Sequence, residues 1–264
     1  MGSPGAPLLS VIIPCYNEQR NLEHGALNEV WDYLTQQSYS WEVLVVDDGS
    51  TDDSRSLVRD LVGSAAGFAL YEIPHGTKPA AIHEGIRRAQ GEIVLLTDMD
   101  QSTPIDQLEL LLPWYDKGFE VVIGSRGLTR EGFSIVRRAG SVAFRLLRGA
   151  FLLRDIRDTQ CGFKLFRRDV IVRLFPRLQF FQRKPGASPI KGWKVTAYDV
   201  ELLHLCRQAG YRIKEVPVAW RNRDLSDTKG QQGELARYVR ESLDMAGQVL
   251  RVTLNQVRGL YRDL

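Results

Sequence analysis

Short apolar runs alternate with helix-like segments through the first half of the chain. The runs are rich in β-branched residues and nearly continuous in apolar character, which is typical of strands covered on both faces. They span 8–14, 42–46, 68–73, 93–97 and 121–124. The segments between them carry apolar residues at helical spacing and span 21–37, 53–61, 79–89 and 105–117. This alternation predicts an α/β fold with a Rossmann-like, doubly wound, mostly parallel sheet and helices on both faces.

The second half of the chain is less regular. Helices are predicted over 136–153 and 199–209, short strands over 164–166 and 212–216, and a mobile loop over 181–192. Apolar residues then recur at helical spacing over 234–262. We therefore predict one domain over 8–230, followed by a C-terminal amphipathic helical extension over 231–264.

Composition narrows the class of protein. A chain of 264 residues can bury a large core without a disulfide or a structural metal. Its three cysteines form no pairing pattern, which favours a reducing compartment, and a net charge of +3 is too small to imply nucleic-acid binding. We find no apolar run of membrane-spanning length, and residues 1–7 lack the apolar core of a signal peptide. We therefore expect a cytoplasmic protein, which can still lie on the cytoplasmic face of a membrane.

Polar and acidic clusters follow three of the predicted strands. The first strand is followed by Pro14 to Glu18, the second by Asp47 to Ser50, and the fourth by Asp98 to Asp100. Because ligands in such folds bind at the carboxyl ends of the strands, these side chains should lie at one edge of the sheet. Two carboxylates at a strand end can share Mg²⁺, which completes its shell with phosphates and water. The other aspartates can accept hydrogen bonds from a ribose hydroxyl or a base imide.

Each cluster has a simpler interpretation when it is taken alone. Residues 47–52 also fit a turn followed by a helix N-cap, since aspartate and serine favour both positions. A pair of aspartates is common on protein surfaces, so the pair at 98 and 100 is weak evidence by itself. The placement of several clusters after consecutive strands is what favours a ligand site.

Several segments resemble known sugar transferases. VIIPCYNE, VLVVDDGSTDDS, GEIVLLTDMD and VVIGSR resemble the family 2 glycosyltransferases, which have the GT-A fold. The later segments DTQCGFKLF, YDVELLHL and IKEVPVAW are similar to the polyprenyl-phosphate sugar transferases, especially the dolichyl-phosphate glucosyltransferase-like branch. The resemblance runs from Leu9 to about Asp227.

This resemblance implies roles for the matching residues. The donor nucleotide sugar would be bound by Pro14, Tyr16, Glu18, Asp47, Asp48, Lys78 and Asp98. The donor diphosphate would be held through Mg²⁺ or Mn²⁺ by the metal ligands Asp98 and Asp100. Catalytic roles would fall to Asp158, Arg126 and Arg137. The acceptor phosphate would be bound by Arg126, Arg137, Arg138 and Lys229.

Three features depart from the pattern of that family. Thr77-Lys78-Pro79 stands where relatives often have Gly-Lys-Gly, so the loop on the diphosphate side can differ. Gln101 and Ser102 follow the aspartate pair, which leaves a third metal ligand open. The dolichol-linked relatives commonly carry membrane helices, and none is predicted here.

The implied activity is inverting transfer of a sugar to a polyprenyl or dolichyl phosphate, with UDP-glucose as the first choice of donor. A lipid phosphate is already ionised near neutral pH, so metal and arginine matter more than a general base. The alternatives are a GDP-mannose donor, a soluble phosphorylated acceptor, and binding of a nucleotide sugar without catalysis. The last is disfavoured by four residues that are present together, Asp98, Asp100, Arg126 and Asp158.

The segment from Arg137 to Arg154 contains five arginines and no acidic residue, with bulky apolar residues between them. This pattern predicts a peripheral membrane contact, although a core helix with solvated arginines has the same pattern. For the C-terminal helix, packing on the domain or a homodimer contact is the favoured interpretation.

Overall fold

The computed structural model describes residues 8–127, 153, 155–182, 198–226, 247 and 249–261. Its strands are β1 (Leu9–Cys15), β2 (Trp41–Asp47), β3 (Phe68–Glu72), β4 (Ile93–Leu96), β5 (Val121–Ser125), β6 (Lys164–Arg167) and β7 (Ile213–Pro217). They form one seven-stranded sheet in the order β3-β2-β1-β4-β6-β5-β7. All neighbouring pairs are parallel except the two that involve β6, which lies antiparallel between β4 and β5. The predicted α/β fold with a mostly parallel sheet is confirmed.

Helices cover both faces of this sheet. They are α1 (Gln19–Glu23), α2 (Ala26–Leu34), α3 (Ser54–Ser64), α4 (Lys78–Arg88), α5 (Leu108–Asp116), α6 (Arg168–Leu174), α7 (Tyr198–Gln208) and α8 (249–257). Short 3-10 turns lie at Ile105–Gln107 and Phe175–Arg177. One apolar layer contains buried residues of α2, α3 and α5, and the other contains buried residues of α4, α6, α7 and α8. The sheet therefore has a core on each side, which leaves its strand ends to carry the polar residues.

The prediction of a single helix over 21–37 is wrong. The chain forms α1 and α2 instead, with a break at His24 and Gly25. Gly25 has φ 82, a left-handed conformation that glycine adopts without steric cost. The break turns α2 so that Leu27, Val30 and Leu34 are buried against the sheet.

Several predicted elements of the second half are confirmed. The short strands correspond to β6 and β7, and the helix predicted over 199–209 corresponds to α7. Most of the helix predicted over 136–153 and of the loop predicted over 181–192 lies outside the described residues. The domain boundary at 230 stays a prediction. Within the described part of the chain, no helix combines the length and the apolar character needed to cross a membrane.

Candidate active site

The polar clusters after β1, β2 and β4 lie side by side, because β1 is the central strand of these three. Cys15, at the end of β1, pairs with Asp47 at the end of β2. The loops that follow are tied together, since the Asn17 amide donates to the Ser50 hydroxyl over 3.0 Å and the Thr51 amide donates to Asn17 Oδ1 over 2.8 Å. The structure thus places the clusters at one edge of the sheet.

Asp47 has one carboxylate oxygen engaged and one unpartnered. Its Oδ1 accepts hydrogen bonds from the Ser50 amide and from Arg55 Nε, both over 3.1 Å. Its Oδ2 is buried and accepts no hydrogen bond from the described residues. A buried acceptor without a donor is costly unless a ligand supplies one. Nearby at the same edge, Tyr16 stacks on His75 with ring centroids 4.4 Å apart.

Asp48 holds the loop before α4. Its Oδ1 accepts from the Gly76 amide over 2.7 Å and its Oδ2 from the Thr77 amide over 2.9 Å. Burial raises the pKa of Asp48, and the hydrogen bonds from Gly76 and Thr77 and the charge of His75 act against that rise. Asp48 thus fixes the loop that carries Lys78, and its predicted contact with the donor stays a prediction.

Thr77 lies in a backbone region that only glycine adopts readily. It has φ 79 and ψ 164, and its hydroxyl is buried without a hydrogen-bond partner among the described residues. Such a conformation costs about 1–3 kcal/mol in a residue with a β-carbon. This strain occurs at the position where the resembling family often has glycine. Asp48 offsets part of the cost by binding the Thr77 amide.

A Thr77→Gly variant is therefore expected to be more stable than the wild type, by roughly 0.5–2 kcal/mol after the larger chain entropy of unfolded glycine is subtracted. The measurement is the thermal midpoint of unfolding. The matched control is Thr35→Gly, because Thr35 is exposed and has an ordinary φ of −65. Equal destabilisation by both substitutions would contradict the strain at Thr77.

Lys78, Asp98 and Asp100 form the charged centre of the edge. Lys78 Nζ donates to Asp98 Oδ1 over 2.5 Å. Burial opposes ionisation of Asp98, but the charges of Lys78, Lys164 and Arg126 outweigh it and lower the pKa of Asp98. Burial, followed by repulsion from Asp98, raises the pKa of Asp100. The two aspartates therefore differ, since nearby cations lower the pKa of Asp98, whereas burial and the charge of Asp98 raise the pKa of Asp100.

These two aspartates fit the metal that the sequence predicts. Among the residues that the structure describes, no group of three His, Cys, Asp or Glu side chains forms a complete cation site. Mg²⁺ in nucleotide enzymes is commonly held by only one or two carboxylates together with substrate phosphates. A divalent cation would also relieve the repulsion that raises the pKa of Asp100.

Glu18 adds another acid to the same edge. Its Oε2 accepts a hydrogen bond from Asn21 Nδ2 over 2.5 Å. Burial raises the pKa of Glu18 to about 8; the Asn21 hydrogen bond opposes this rise, and the charges of Asp224, Asp100 and Asp98 add to it. Burial, with a smaller contribution from the neighbouring acids, therefore favours the protonated form of Glu18.

Arg126 and Asp158 are paired with each other. Arg126 donates from Nε to Asp158 Oδ2 over 2.7 Å and from Nη2 to Oδ1 over 2.9 Å. The Arg126 amide also donates to Oδ2, and the two side chains are only 14% and 11% exposed. The Asp158 amide is bound by Glu215 on β7. Two donors of the guanidinium fork are thus engaged inside the protein, and the role of Arg126 at the acceptor phosphate stays a prediction.

Sequence reasoning assigned no role to Lys164 and Asp199. Lys164 on β6 is 1% exposed, and its Nζ lies 2.8 Å from Asp199 Oδ1 on α7. Nζ also donates to the Cys161 carbonyl. Gly162 lies between Cys161 and Lys164 in the chain. It is so close to Asp98 that a β-carbon there would lie 2.1 Å from Asp98 Oδ2. The available signal was that the two motifs DTQCGFKLF and YDVELLHL contain these residues.

The segment 218–226, which follows β7, lies along one side of the site. The sequence did not predict this placement. The Arg221 amide donates to the Ser102 carbonyl over 2.8 Å, next to the aspartate pair. Arg223 forms two hydrogen bonds with Glu29 on α2. A cavity of about 300 Å³ lies here, lined by Asn21, His24, Ala26, Asp100, Arg223 and Leu225. Asp100 thus faces space that a ligand can occupy.

Three predicted acceptor residues, Arg137, Arg138 and Lys229, lie outside the described residues. Their roles stay predictions. Pro14 lies at the carboxyl end of β1, one residue before Cys15.

The fold is the GT-A fold of similar solved structures, and the family model and the curated relatives show the class, a glycosyltransferase. The chain belongs to glycosyl transferase family 2, because residues 10–175 match the model described as Glycosyl transferase family 2. The predicted family and the predicted enzyme class are confirmed.

Three known proteins illustrate the similarity. Dolichyl-phosphate beta-glucosyltransferase ALG5D of Trichomonas vaginalis is 30% identical over 252 residues, which cover 90% of this chain and 71% of that protein. The dolichyl-phosphate beta-glucosyltransferase of Homo sapiens is 31% identical, over 80% of this chain and 67% of that protein. Glucosyl-3-phosphoglycerate synthase from Mycobacterium tuberculosis, in a crystal structure with Mn²⁺, UDP and glucosyl-3-phosphoglycerate, has a TM-score of 0.60 at 18% identity. That alignment covers 95% of this chain and 81% of the synthase, and it shows the fold.

Proposed function

We propose that this protein transfers glucose from UDP-glucose to a dolichyl or other polyprenyl phosphate. The observation that carries this proposal is the identity of 30% and 31% to two dolichyl-phosphate beta-glucosyltransferases, over 90% and 80% of this chain. UDP-glucose is an α-glycoside, so a β-linked product requires inversion at the anomeric carbon. The proposed reaction is therefore a single displacement by the acceptor phosphate.

The nucleoside would be bound at the ends of β1 and β2. Asp47 Oδ2 is the unpartnered buried acceptor there, and it suits a base imide or a ribose hydroxyl as donor. Tyr16, which follows the last residue of β1, offers an aromatic ring at the same edge, stacked on His75. Asp48 contributes indirectly, because it fixes the backbone of the loop before Lys78.

The diphosphate would be bound at the end of β4. Asp98 and Asp100 would hold Mg²⁺ or Mn²⁺, which supplies neutralisation of the leaving diphosphate. Lys78 is already placed there by its ion pair with Asp98, so a cationic side chain lies beside the metal ligands. These residues would stabilise negative charge on the departing UDP.

In the displacement, an oxygen of the acceptor phosphate would form a bond to the anomeric carbon as the bond from that carbon to UDP breaks. The acceptor is already anionic, so no proton has to be removed from it. For Arg126 and Asp158 we propose a positioning role, since they bind each other at the end of β5. Binding of the acceptor phosphate would then fall to Arg137, Arg138 and Lys229, together with the proposed membrane contact of the segment from Arg137 to Arg154. A location on the cytoplasmic membrane face, and the homodimer, are likewise proposals.

The test is product formation by the full chain with each donor and acceptor. UDP-glucose and GDP-mannose are offered with a short polyprenyl phosphate in detergent or with 3-phosphoglycerate, in Mg²⁺, Mn²⁺ or EDTA. We expect a glucosylated lipid from UDP-glucose only when metal is present. Product from GDP-mannose alone would overturn the donor, and glucosylated phosphoglycerate without glucosylated lipid would overturn the acceptor.

An Asp47→Asn variant is expected to bind UDP-glucose more weakly. Oδ1 must still accept from the Ser50 amide and Arg55, so the new amide group would replace the unpartnered Oδ2 and face the ligand's donor. An unmade hydrogen bond in a buried site costs about 1–3 kcal/mol, which corresponds to roughly a 5- to 150-fold rise in KM. The measurement is steady-state kinetics with varied UDP-glucose.

The kinetic split identifies the cause. Contacts to the nucleoside act equally on ground and transition states, so kcat should change much less than KM. Asp60→Asn removes an exposed acid on α3 and serves as the matched control. A fall in kcat at unchanged KM in the Asp47 variant would show that this residue does not bind the nucleoside.

A further inference from the structure

The outward face of α8 is apolar. Six large apolar side chains are exposed in the described residues, and four of them belong to α8 and the turn after it. They are Leu250, Leu254, Val257 and Leu260, exposed by 49%, 53%, 75% and 62%. The first three are spaced by four and then three residues, which places them on one side of a helix. We call these four residues the α8 apolar face.

This face cannot turn inward, because the opposite side of α8 is already fixed to the domain. Val249 and Val252 are fully buried in the core layer that contains α7. Arg251 Nη2 donates to Glu201 Oε2 over 3.2 Å, and the Tyr261 hydroxyl donates to Glu201 Oε1 over 3.0 Å. Glu201 lies on α7 and is 1% exposed, so these contacts anchor α8 firmly. The predicted packing of the C-terminal helix is confirmed for this inner side only.

One exposed cation, Arg258, lies beside the face. Residues 249–261 include two arginines and no acidic residue. Arg251 points to Glu201, whereas Arg258 is exposed beside the apolar face. Exposed apolar side chains flanked by a cation are complementary to an anionic lipid surface, where the side chains enter the acyl boundary and the cation meets the headgroups.

A second copy of the chain fits this face less well. Stable protein interfaces use roughly 20–30 residues from each side, whereas this face offers four apolar side chains. A two-fold contact centred on this face would also bring two copies of Arg258 near each other, and like charges oppose association.

We propose that the α8 apolar face docks on the surface of an anionic membrane, with α8 lying in the plane of the interface. This surface is separate from the segment 137–154, and the inference holds whether or not the acceptor is a lipid. Docking orients the domain through Glu201, which connects α8 to α7.

The experiment measures flotation of the full chain with vesicles, without donor or acceptor. The vesicles contain phosphatidylcholine alone or phosphatidylcholine mixed with phosphatidylserine. The test variant carries Leu254→Ser and Val257→Ser together, and the matched control carries Leu110→Ser and Val172→Ser, which are 46% and 41% exposed on α5 and α6. We expect the wild type and the control to bind the anionic vesicles. The bound fraction of the test variant should be at least about tenfold smaller, because each methylene group that enters the membrane contributes to partitioning.

Two further measurements keep the outcome unambiguous. Thermal midpoints of unfolding test whether both variants are folded. If the double variant is unstable, Val257→Ser alone, at the most exposed position of the α8 apolar face, should still reduce binding. Sedimentation velocity reports the oligomeric state. The proposal is overturned if the wild type binds neither kind of vesicle, or if the test variant and the control bind vesicles equally well. It is also overturned if the test substitutions change the sedimenting mass and leave vesicle binding unchanged.

Discussion

An Asp100→Asn variant is expected to lose nearly all sugar transfer. Asp100 lies two residues after Asp98 at the end of β4, and burial and the Asp98 charge raise its pKa. A bound divalent cation is the natural partner for that carboxylate, and a neutral amide would hold it poorly. Loss of such electrostatic stabilisation costs about 3–4 kcal/mol, or a 10²- to 10³-fold fall in kcat.

Two measurements check this result. Steady-state turnover with UDP-glucose and Mn²⁺ gives the loss of activity, and the thermal shift produced by UDP with Mn²⁺ gives the loss of metal-dependent binding without turnover. Asp106→Asn is the control, because Asp106 is an exposed acid shortly downstream. If the Asp100 variant kept wild-type turnover and the same Mn²⁺-dependent shift, Asp100 would not be a metal ligand.

An Arg126→Ala variant is expected to be strongly destabilised. It would leave the Asp158 carboxylate, which is 11% exposed, without the guanidinium that binds both of its oxygens. Removal of one partner from a buried ion pair costs about 3–5 kcal/mol. For a chain of this size each kcal/mol lowers Tm by roughly 2–4 °C, so a fall of roughly 6–20 °C is expected.

A double-mutant cycle separates the pair from its surroundings. Arg126→Ala combined with Asp158→Ala should cost clearly less than the sum of the two single changes, since no uncompensated charge remains. Arg126→Lys should recover only part of the stability, because an ammonium cannot make the two parallel hydrogen bonds. Additive losses in the cycle would show that the two side chains act independently.

The position of the proposed donor residues was predictable because these residues follow the strands directly. Asp47 and Asp98 come immediately at or after buried apolar runs, so the parallel order of β2, β1 and β4 brings them to one edge. An apolar run does not, however, indicate whether its strand is parallel or antiparallel to its neighbours. The antiparallel orientation of β6 between β4 and β5 therefore came only from the structure.

The pairings across the site were not predictable for a related reason. The sequence identifies Arg126 and Asp158 as separate candidates, but not that their charges neutralise each other. Lys164 and Asp199 lie within quoted motifs, yet only the packing of α7 on β6 shows that they form a buried ion pair. Gly25 was overlooked because Leu22, Ala26 and Val30 preserve helical spacing across a backbone break.

The close approach of Gly162 to Asp98 has an evolutionary consequence. Every codon change away from glycine adds a β-carbon where Asp98 Oδ2 lies within 2.1 Å. The atoms that must yield belong to the proposed metal ligand, a half-buried side chain just after the end of β4. Such a change would spare the fold and disable the chemistry, so a lineage released from selection for sugar transfer can accept it without losing a folded protein. A residue other than glycine at this position would therefore mark a descendant that has kept the architecture and abandoned the reaction.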